Sequence, residues 1–209
     1  MKEYPKIQTV FMRNKSLKGF PIIEGAWTLP EFEYLSQNIW TFTEKVDGTN
    51  IRIGYDGALL IKGRTDASQL PTQLEGILNN RFNSLLPKLE ERFPEGVIFF
   101  GEGYGVKIQK GGGNYRADQE FVLFDIQIGK WWLRRQDIEE IAKEFGMDVV
   151  PIVGEGTLET MVRLVKTRPN SSWGPFQMEG IVARPKIDLQ LRNGQRVITK
   201  LKCNDFEKV

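Results

Sequence analysis

The sequence predicts an α+β domain in which antiparallel sheets are flanked by helices. Polar and apolar residues alternate over residues 39–64, and two Asp-Gly pairs interrupt the alternation, as expected for strands joined by tight turns. Apolar residues recur at helical spacing over residues 71–92 and 136–145, which predicts amphipathic helices. Since no repeat or linker divides the chain, we expect one domain over residues 1–209.

We expect mostly strands in the first half of the chain. Residues 1–38 are expected to form an irregular lead-in with one short helix, which Thr28 would cap and Pro30 would begin. Pro87 is expected to kink or break a later helix, because proline has no N–H to donate. The other predicted elements are the strands Ile39–Val46, Asn50–Tyr55 and Ala58–Gly63, and the helix over residues 71–92.

The second half alternates strands with two helices. We expect Gly146 to end the first of these helices and Asn193-Gly194 to form a hairpin turn. The run Gly111–Gly113 lacks the Lys-Ser/Thr ending of a phosphate-binding loop and predicts a flexible loop. The predicted elements are Val97–Tyr104, the hairpin of Glu120–Ile128 and Trp131–Leu133, the helix Gln136–Phe145, the strand Val149–Val153, the helix Leu158–Lys166, and the strands Met178–Arg184, Leu189–Arg192 and Gln195–Lys202.

Composition narrows the possible chemistry. The chain has no histidine, which excludes Ser-His-Asp triads and histidine acid–base catalysis. The net charge of +2 means that any nucleic-acid surface must be local. Cys203 is the only cysteine, which excludes an internal disulfide and favours a reducing cytoplasm. Without a long apolar run or an apolar signal core, we expect neither a membrane span nor secretion.

The segment Trp40–Asn50 carries the strongest functional signal. Lys45 ends an apolar, β-prone run and is followed by the carboxylate of Asp47, a glycine turn and the amide of Asn50. An amine on a rigid strand end, partly out of water, has the setting that a nucleophilic lysine needs. A solvated Lys-x-Asp-Gly turn is the ordinary alternative for this run taken alone.

Further polar segments lie on predicted strands, and each has an ordinary interpretation. Arg64 alone suggests an exposed strand end, Phe124 a core residue, and the paired lysines a wet strand face. Gly101-Glu102-Gly103 is not a dinucleotide fingerprint, because the third glycine arrives one residue early. The segments are Lys62–Thr65, Phe99–Gly105, Phe121–Ile126, Glu179–Arg184 and Thr199–Lys202.

Taken in order, these segments resemble the covalent nucleotidyltransferase superfamily of polynucleotide ligases and mRNA-capping enzymes. The likeness runs from about Thr43 to Phe206 and is closest to the ATP-dependent RNA ligases of the second phage type, which seal duplex RNA. Lys45–Asn50 is similar to their nucleophile motif, and Asn50 favours the RNA branch, since DNA ligases usually carry arginine there. Leu191–Val197, before the paired lysines, is also similar to that branch. The resemblance implies an ATP-grasp-like adenylation domain.

The resemblance also implies roles for ten residues. Lys45 forms a lysyl-adenylate, while Lys200 and Lys202 contact the α-phosphate of ATP. Glu179 positions Mg²⁺ or Mn²⁺, or the surroundings of the nucleophile. Glu44 and Lys45 frame the adenine through backbone groups or a side chain, and Phe124 stacks on it. The remaining implied contacts are Asp47 and Asn50 at the nucleophile and the ribose or phosphate, Arg64 at the ribose and the substrate phosphate, and Glu102 at a ribose hydroxyl.

The residue types support this chemistry independently. Attack on phosphorus requires a neutral amine, and burial beside cations is one way in which proteins deprotonate a lysine. Lysines, an arginine and a divalent cation can stabilise the charge of a triphosphate. The carboxylates of Glu102 and Glu179 suit a hard metal ion or ribose hydroxyls. An aromatic ring stacked on adenine contributes about 1–3 kcal/mol.

We therefore expect an RNA-repair ligase that uses ATP to join 3′-OH and 5′-phosphate ends. The expected partner is a nicked duplex of RNA or one containing RNA, and no interaction with a membrane is expected. We expect a monomer, located in the cytoplasm, or in the host cytoplasm if the protein is viral. The alternatives are a DNA ligase of the same mechanism, a GTP-using capping enzyme, and a non-catalytic module that binds nucleotides or nucleic-acid ends.

The chain departs from the family pattern after Lys202. Only seven residues follow it, whereas DNA ligases and capping enzymes continue into an OB-fold and related RNA ligases continue into a helical domain. We therefore expect a catalytic domain alone. The basic residues of the lead-in, which lie near aromatic residues, are either substrate contacts or an ordinary surface.

Overall fold

The computed structural model describes residues 1–206, and the chain forms two compact units. The first unit comprises Met1–Pro5 and Asp47–Val150, and the second comprises Lys6–Val46 and the chain from Pro151 onward. Each unit has its own sheet and its own apolar core. The single catalytic domain expected from the sequence stays a prediction.

Short strands outnumber helices along the chain. No helix within residues 1–206 is both long enough and apolar enough to cross a membrane. The strands are β1 (Gln8–Thr9), β2 (Phe11–Arg13), β3 (Ile22–Trp27), β4 (Trp40–Lys45), β5 (Thr49–Tyr55), β6 (Leu59–Gly63), β7 (Val97–Gly105), β8 (Gln119–Ile128), β9 (Trp131–Trp132), β10 (Asp148–Val149), β11 (Ile152–Gly156), β12 (Gly180–Pro185) and β13 (Thr199–Lys202). The helices are α1 (Pro30–Tyr34), α2 (Thr72–Ser84), α3 (Leu86–Arg92), α4 (Gly112–Tyr115), α5 (Arg135–Glu144) and α6 (Leu158–Lys166), followed by a 3₁₀ helix at Cys203–Phe206.

The sheet of the first unit has the strand order β10-β8-β7-β5-β6, with β9 paired to β8. Its strands pair antiparallel except for β8 and β10, which are parallel. Alternation along β5 directs Ile51 and Ile53 to one face, where they join a core with Leu74 of α2 and Ile138 of α5. Each such buried aliphatic side chain stabilises the unit by about 1.5–3 kcal/mol.

The sheet of the second unit has the strand order β1-β13-β12-β4-β11. Its strands pair antiparallel except for β1 and β13, which are parallel. Trp40 and Phe42 of β4 form a core with Met161 of α6. Thr157 caps α6 by accepting a hydrogen bond from the Thr160 N–H at 3.2 Å, which satisfies one of the unpaired amides of the first turn.

The fold class and most of the predicted elements are confirmed. The three strands over residues 39–64 lie within one residue of their expected bounds. The helix expected over residues 71–92 is divided into α2 and α3, which meet at Leu85 just before Pro87. Gly146 follows α5 with a φ of +64°, a left-handed conformation that glycine adopts without a steric cost.

The lead-in is more regular than the sequence suggested. It contains β1, β2 and β3, and β1 pairs with β13 from the far end of the chain, a partner that no local pattern reveals. Leu29 is the N-cap of α1, and no side chain caps this helix, so the prediction of Thr28 as the cap was wrong. Pro30 begins the helix, as expected.

The single strand predicted over Val149–Val153 is wrong. Two strands occupy that region, β10 in the first unit and β11 in the second. Pro151 separates them, because proline has no N–H to contribute to a strand ladder.

Three further predictions need correction. The strand expected over Gln195–Lys202 begins only at Thr199. Leu189–Arg192 is not a strand: one isolated bridge joins Gln190 to Arg196 around the predicted Asn193-Gly194 turn. The run Gly111–Gly113 is not wholly a loop, because Gly112 begins α4.

Candidate active site

Strand β4 has a buried face and a face that carries the candidate nucleophile. Trp40, Phe42 and Glu44 are buried, whereas Thr43 and Lys45 are partly exposed, which follows the two-residue period of a strand. The Lys45 side chain keeps 20% of its surface exposed. Because β4 lies between β11 and β12, this amine is at the end of a strand that is paired on both sides.

Glu179 bridges two lysines on this face. Its Oε2 lies 2.6 Å from Lys45 Nζ, and its Oε1 lies 2.6 Å from Lys202 Nζ. The strand register brings both lysines to the start of β12, because Gly180 pairs with Lys45 on one side and with Lys202 on the other. Glu179 immediately precedes β12, and its carboxylate reaches both amines.

Gly180 permits this close pairing of three strands. A Cβ at position 180 would lie 2.2 Å from the carbonyl oxygen of Leu201 and 2.7 Å from Cα of Lys202. Because both atoms belong to the backbone of β13, neither can move without shifting that strand. Any side chain at this position would therefore push Lys202 away from Glu179.

Lys200 is the third lysine of this cluster. It lies on β13 opposite Val182, two residues before Lys202 and therefore on the same strand face. Burial lowers the pKa of Lys200 most, and the positive charges of Lys45, Lys202 and Arg13 lower it further. Lys200 has no ion pair with a carboxylate among residues 1–206.

The charge of Lys200 should cost stability at neutral pH. Because its folded pKa lies below the ordinary value of 10.5, the unfolded chain binds more protons between those two values, and stability rises with pH there. We expect Lys200→Met to raise Tm at pH 7, by about 2–4 °C for each kcal/mol recovered in a chain of this size. The gain should shrink as the pH approaches 10.5. Thermal unfolding across this range measures it, and an unchanged or lower Tm at pH 7 would contradict it.

Glu44, adjacent to Lys45, has a different environment. Its side chain is 1% exposed and accepts hydrogen bonds from Ser171 Oγ at 2.6 Å and from the Ser172 N–H at 2.8 Å. The carboxylate therefore holds the loop that follows α6. The Glu44 N–H is also engaged, because it donates to the carbonyl oxygen of Pro151 at 3.0 Å. The adenine contact that the resemblance implies for Glu44 stays a prediction.

The first unit holds four of the other predicted contacts near the ends of β5, β6 and β7. Asn50 of β5 pairs with Glu102 of β7, and Arg64 is exposed immediately after β6. The Asp47 N–H donates to Tyr115 Oη at 3.2 Å. Asn50 Oδ1 is buried and has no hydrogen-bond partner within residues 1–206. A ribose hydroxyl would supply the donor that this oxygen lacks.

Phe124 lies at an irregularity of β8. The register between β7 and β8 shifts beside it, because Phe100 pairs with Asp125 and Gly101 with Leu123, which leaves Phe124 as the extra residue of a bulge. Its ring is half-buried and meets Tyr4 edge-on, with 5.0 Å between the ring centroids. Its stacking on adenine stays a prediction.

Sequence reasoning missed one ion pair beside the lysine cluster. Asp205 is 6% exposed, and it accepts from Arg13 Nη2 at 2.5 Å and from the Lys202 N–H at 2.8 Å. The two side chains are 192 residues apart in the chain, so no local motif joins them. The pair connects the lead-in to the end of the strand that carries Lys200 and Lys202.

No group of three or more acidic, cysteine or histidine side chains within residues 1–206 is arranged to hold a metal ion. Glu179 is the predicted metal ligand, and its two oxygens already contact lysines. Mg²⁺ commonly binds one or two protein carboxylates and completes its shell with water and phosphate oxygens. The donor set therefore suits a metal ion that arrives with a nucleotide.

The sequence model of the RNA ligase family matches residues 38–202. The chain belongs to the RNA ligase family. The matched range begins just before β4 and ends at Lys202, so it includes the whole lysine cluster. A search of curated proteins found no match.

Solved structures of an RNA ligase from Naegleria gruberi have the same fold as this family member. A mutant without ligand aligns with a TM-score of 0.66 at 20% identity, and a mutant with ATP and Mn aligns with a TM-score of 0.67 at 17% identity. These alignments cover 98% of the present chain and 58% and 61% of the Naegleria chains. The chain therefore spans about three fifths of the length of those ligases.

Proposed function

We propose that this member of the RNA ligase family uses ATP to join RNA 3′-OH and 5′-phosphate ends through a lysyl-AMP intermediate on Lys45. The lysine cluster of the second unit carries the proposal. Lys45 Nζ is 2.6 Å from the Glu179 carboxylate, and Lys200 and Lys202 lie on one face of β13. A positioned amine beside an acceptor carboxylate and two further cations suits nucleotidyl transfer.

In the first step, the lone pair of Lys45 Nζ attacks the α-phosphorus of ATP. A P–N bond forms, the bond between the α-phosphorus and its bridging oxygen breaks, and pyrophosphate leaves. Nζ must give up a proton for this attack, and Glu179 Oε2, which contacts it at 2.6 Å, is positioned to accept that proton. Lys200 and Lys202 stabilise the negative charge on the phosphate oxygens.

The other predicted site residues supply the proposed nucleotide contacts. Asn50 and Glu102 hold ribose hydroxyls, Phe124 stacks on adenine, and Arg64 contacts the ribose and the substrate phosphate. Mg²⁺ or Mn²⁺ held by Glu179 and phosphate oxygens would neutralise part of the triphosphate charge.

In the second step, a 5′-phosphate oxygen of the RNA attacks the phosphorus of lysyl-AMP. The P–N bond breaks and the lysine regains a proton. In the third step, the RNA 3′-OH attacks the activated 5′-phosphate, and AMP leaves with the bonding electrons. A nicked duplex holds both ends together, which makes the last step effectively intramolecular.

We propose nicked duplex RNA as the substrate, a monomer as the active form, and RNA repair in the cytoplasm as the role.

The solved relatives support the choice of nucleotide and metal. Structures of the Naegleria gruberi RNA ligase contain ATP and Mn, AMP and Mn, or PPi. The cycle proposed for this chain uses the same three species. ATP is the substrate of the first step, pyrophosphate is its leaving group, and AMP leaves in the third step.

Labelling with nucleotides tests the proposal. The protein is incubated with α-labelled ATP or GTP and with Mg²⁺ or Mn²⁺, and is then denatured. We expect an acid-labile covalent label from ATP. No label with either metal would favour a binding module, and a label from GTP would favour a capping enzyme.

A panel of nicked duplexes should show faster sealing with a 3′-terminal ribose; equal or faster sealing of all-DNA nicks would favour a DNA ligase.

A further inference from the structure

The second unit carries a two-stranded hairpin beside the lysine cluster. Strands β2 and β3 pair antiparallel and form what we call the basic hairpin, residues 11–27. It follows β1 directly, and β1 pairs with β13 so that Thr9 is opposite Lys200. The Val10 N–H also donates to the carbonyl oxygen of Lys200 at 3.1 Å. The hairpin therefore starts next to β13, the strand that carries Lys200 and Lys202.

The tip of the basic hairpin combines positive charge with exposed apolar side chains. Lys15 and Lys18 are exposed, and neither forms an ion pair with a residue of the described chain. Leu17 is 51% exposed and Phe20 is 54% exposed. The one acid of the hairpin, Glu24, is neutralised by Lys166 at 2.6 Å. The tip is therefore a cationic surface with an aromatic ring that lies open to solvent.

The backbone of this tip is held in a strained conformation. Phe20 has a φ of +49°, a left-handed conformation that is costly for a bulky residue. Its carbonyl oxygen accepts a hydrogen bond from Arg13 Nη1 at 3.0 Å, while Arg13 Nη2 binds Asp205 at 2.5 Å. One guanidinium thus ties the tip to the 3₁₀ helix after β13, and the aromatic ring stays exposed although burial would stabilise it.

We propose that the basic hairpin binds the RNA strand whose end is being sealed. Lys15 and Lys18 contact backbone phosphates, and Phe20 stacks on a base. Cations that follow a phosphate backbone together with an aromatic platform form the usual surface for single-stranded or frayed nucleic acid. Charge complementarity selects this occupant, because phosphates match two unpaired ammonium groups next to an exposed ring. The inference rests on the proposed function, since it assigns the RNA of that reaction to a surface beside its lysines.

The test compares Lys15→Ala/Lys18→Ala and Phe20→Asn with the control Lys130→Ala/Lys186→Ala. Asparagine tolerates a positive φ better than most residues, so Phe20→Asn removes the ring while sparing the turn. The control removes two exposed lysines outside the hairpin. The affinity for a nicked RNA duplex is measured by fluorescence anisotropy at several salt concentrations, and adduct formation with labelled ATP is measured in parallel.

We expect the double lysine variant to bind RNA at least about 10-fold more weakly and to reduce the salt slope by roughly 1.4–1.8, since each phosphate contact contributes about 0.7–0.9. Phe20→Asn should weaken binding by about 5–150-fold with an unchanged slope, since stacking contributes about 1–3 kcal/mol. Adduct formation should stay within about 2-fold of wild type, which also shows that both variants fold.

Unchanged RNA affinity in variants that still form the adduct would overturn the hairpin assignment and leave the proposed function standing. If the wild-type protein forms no adduct but the hairpin variants still bind RNA more weakly than wild type, the proposed function alone would be overturned. Binding to anionic vesicles that depends on the hairpin, with unchanged RNA affinity, would replace the RNA assignment by a membrane-surface one.

Discussion

Lys45→Ala should remove the covalent AMP adduct and lower sealing of a 5′-phosphate nick by at least about 10³-fold, the scale seen when a covalent nucleophile is lost. The amine ends a central strand, and both Glu179 and Lys202 are arranged around it by strand register. The other two lysines of the cluster lie on a different strand, β13. Single-turnover labelling with α-labelled ATP measures the adduct.

Three comparisons separate lost chemistry from lost folding. Lys45→Arg keeps the positive charge beside Glu179 but cannot supply a neutral amine, because arginine does not deprotonate in proteins, so it should be equally unreactive. Lys186→Ala removes an exposed lysine whose partner is Glu155 and should label like wild type. Sealing of an RNA that already carries 5′-linked AMP should survive in Lys45→Ala. A full-strength adduct in Lys45→Ala would refute the assignment of the nucleophile.

Lys202→Ala should slow adduct formation by about 10²–10³-fold, the loss typical of removing one donor that stabilises transition-state charge. Lys202 Nζ contacts Glu179 Oε1 at 2.6 Å, next to the oxygen that contacts Lys45. Its removal takes a positive charge from the place where the α-phosphate is proposed to react. Because the charge matters most in the transition state, the rate constant for the adduct should fall more than the affinity for ATP.

Lys202→Arg restores a cation with different geometry and should recover part of the rate. The Tm of Lys202→Ala should remain near that of wild type, because the side chain is 39% exposed and its pair with Glu179 is only partly buried, so the pair contributes little stability. A wild-type rate in Lys202→Ala would show that the α-phosphate binds elsewhere. An equal loss of rate and Tm would indicate a structural role instead.

Local pattern was sufficient for most of the fold. The strands at β4, β5 and β6 and the two helices around Pro87 follow from alternation, helical spacing and proline chemistry. Two failures arose where local signals are absent. β1 depends on pairing with β13, which is distant in sequence, and the run around Pro151 is apolar throughout although its two halves join different sheets.

The candidate site could be predicted only as a set of residue types. The sequence indicated Lys45, Glu179 and Lys202, but the bridge between them depends on Gly180 pairing with both lysines. The ion pair of Arg13 with Asp205 depends on the parallel pairing of the first strand with the last. Register and non-local pairing are tertiary properties, and no motif within one segment encodes them.

The bridge by Glu179 also has a consequence for the order of events during synthesis. Lys45 and Glu179 are 134 residues apart in the chain, and Lys202 comes later still. A nascent chain would expose the edge of β4 until β12 has left the ribosome. We infer that the early strand depends on its late partners for protection against wrong pairing, and that the reactive amine acquires its neighbours only after the segment from Glu179 to Lys202 has been synthesised.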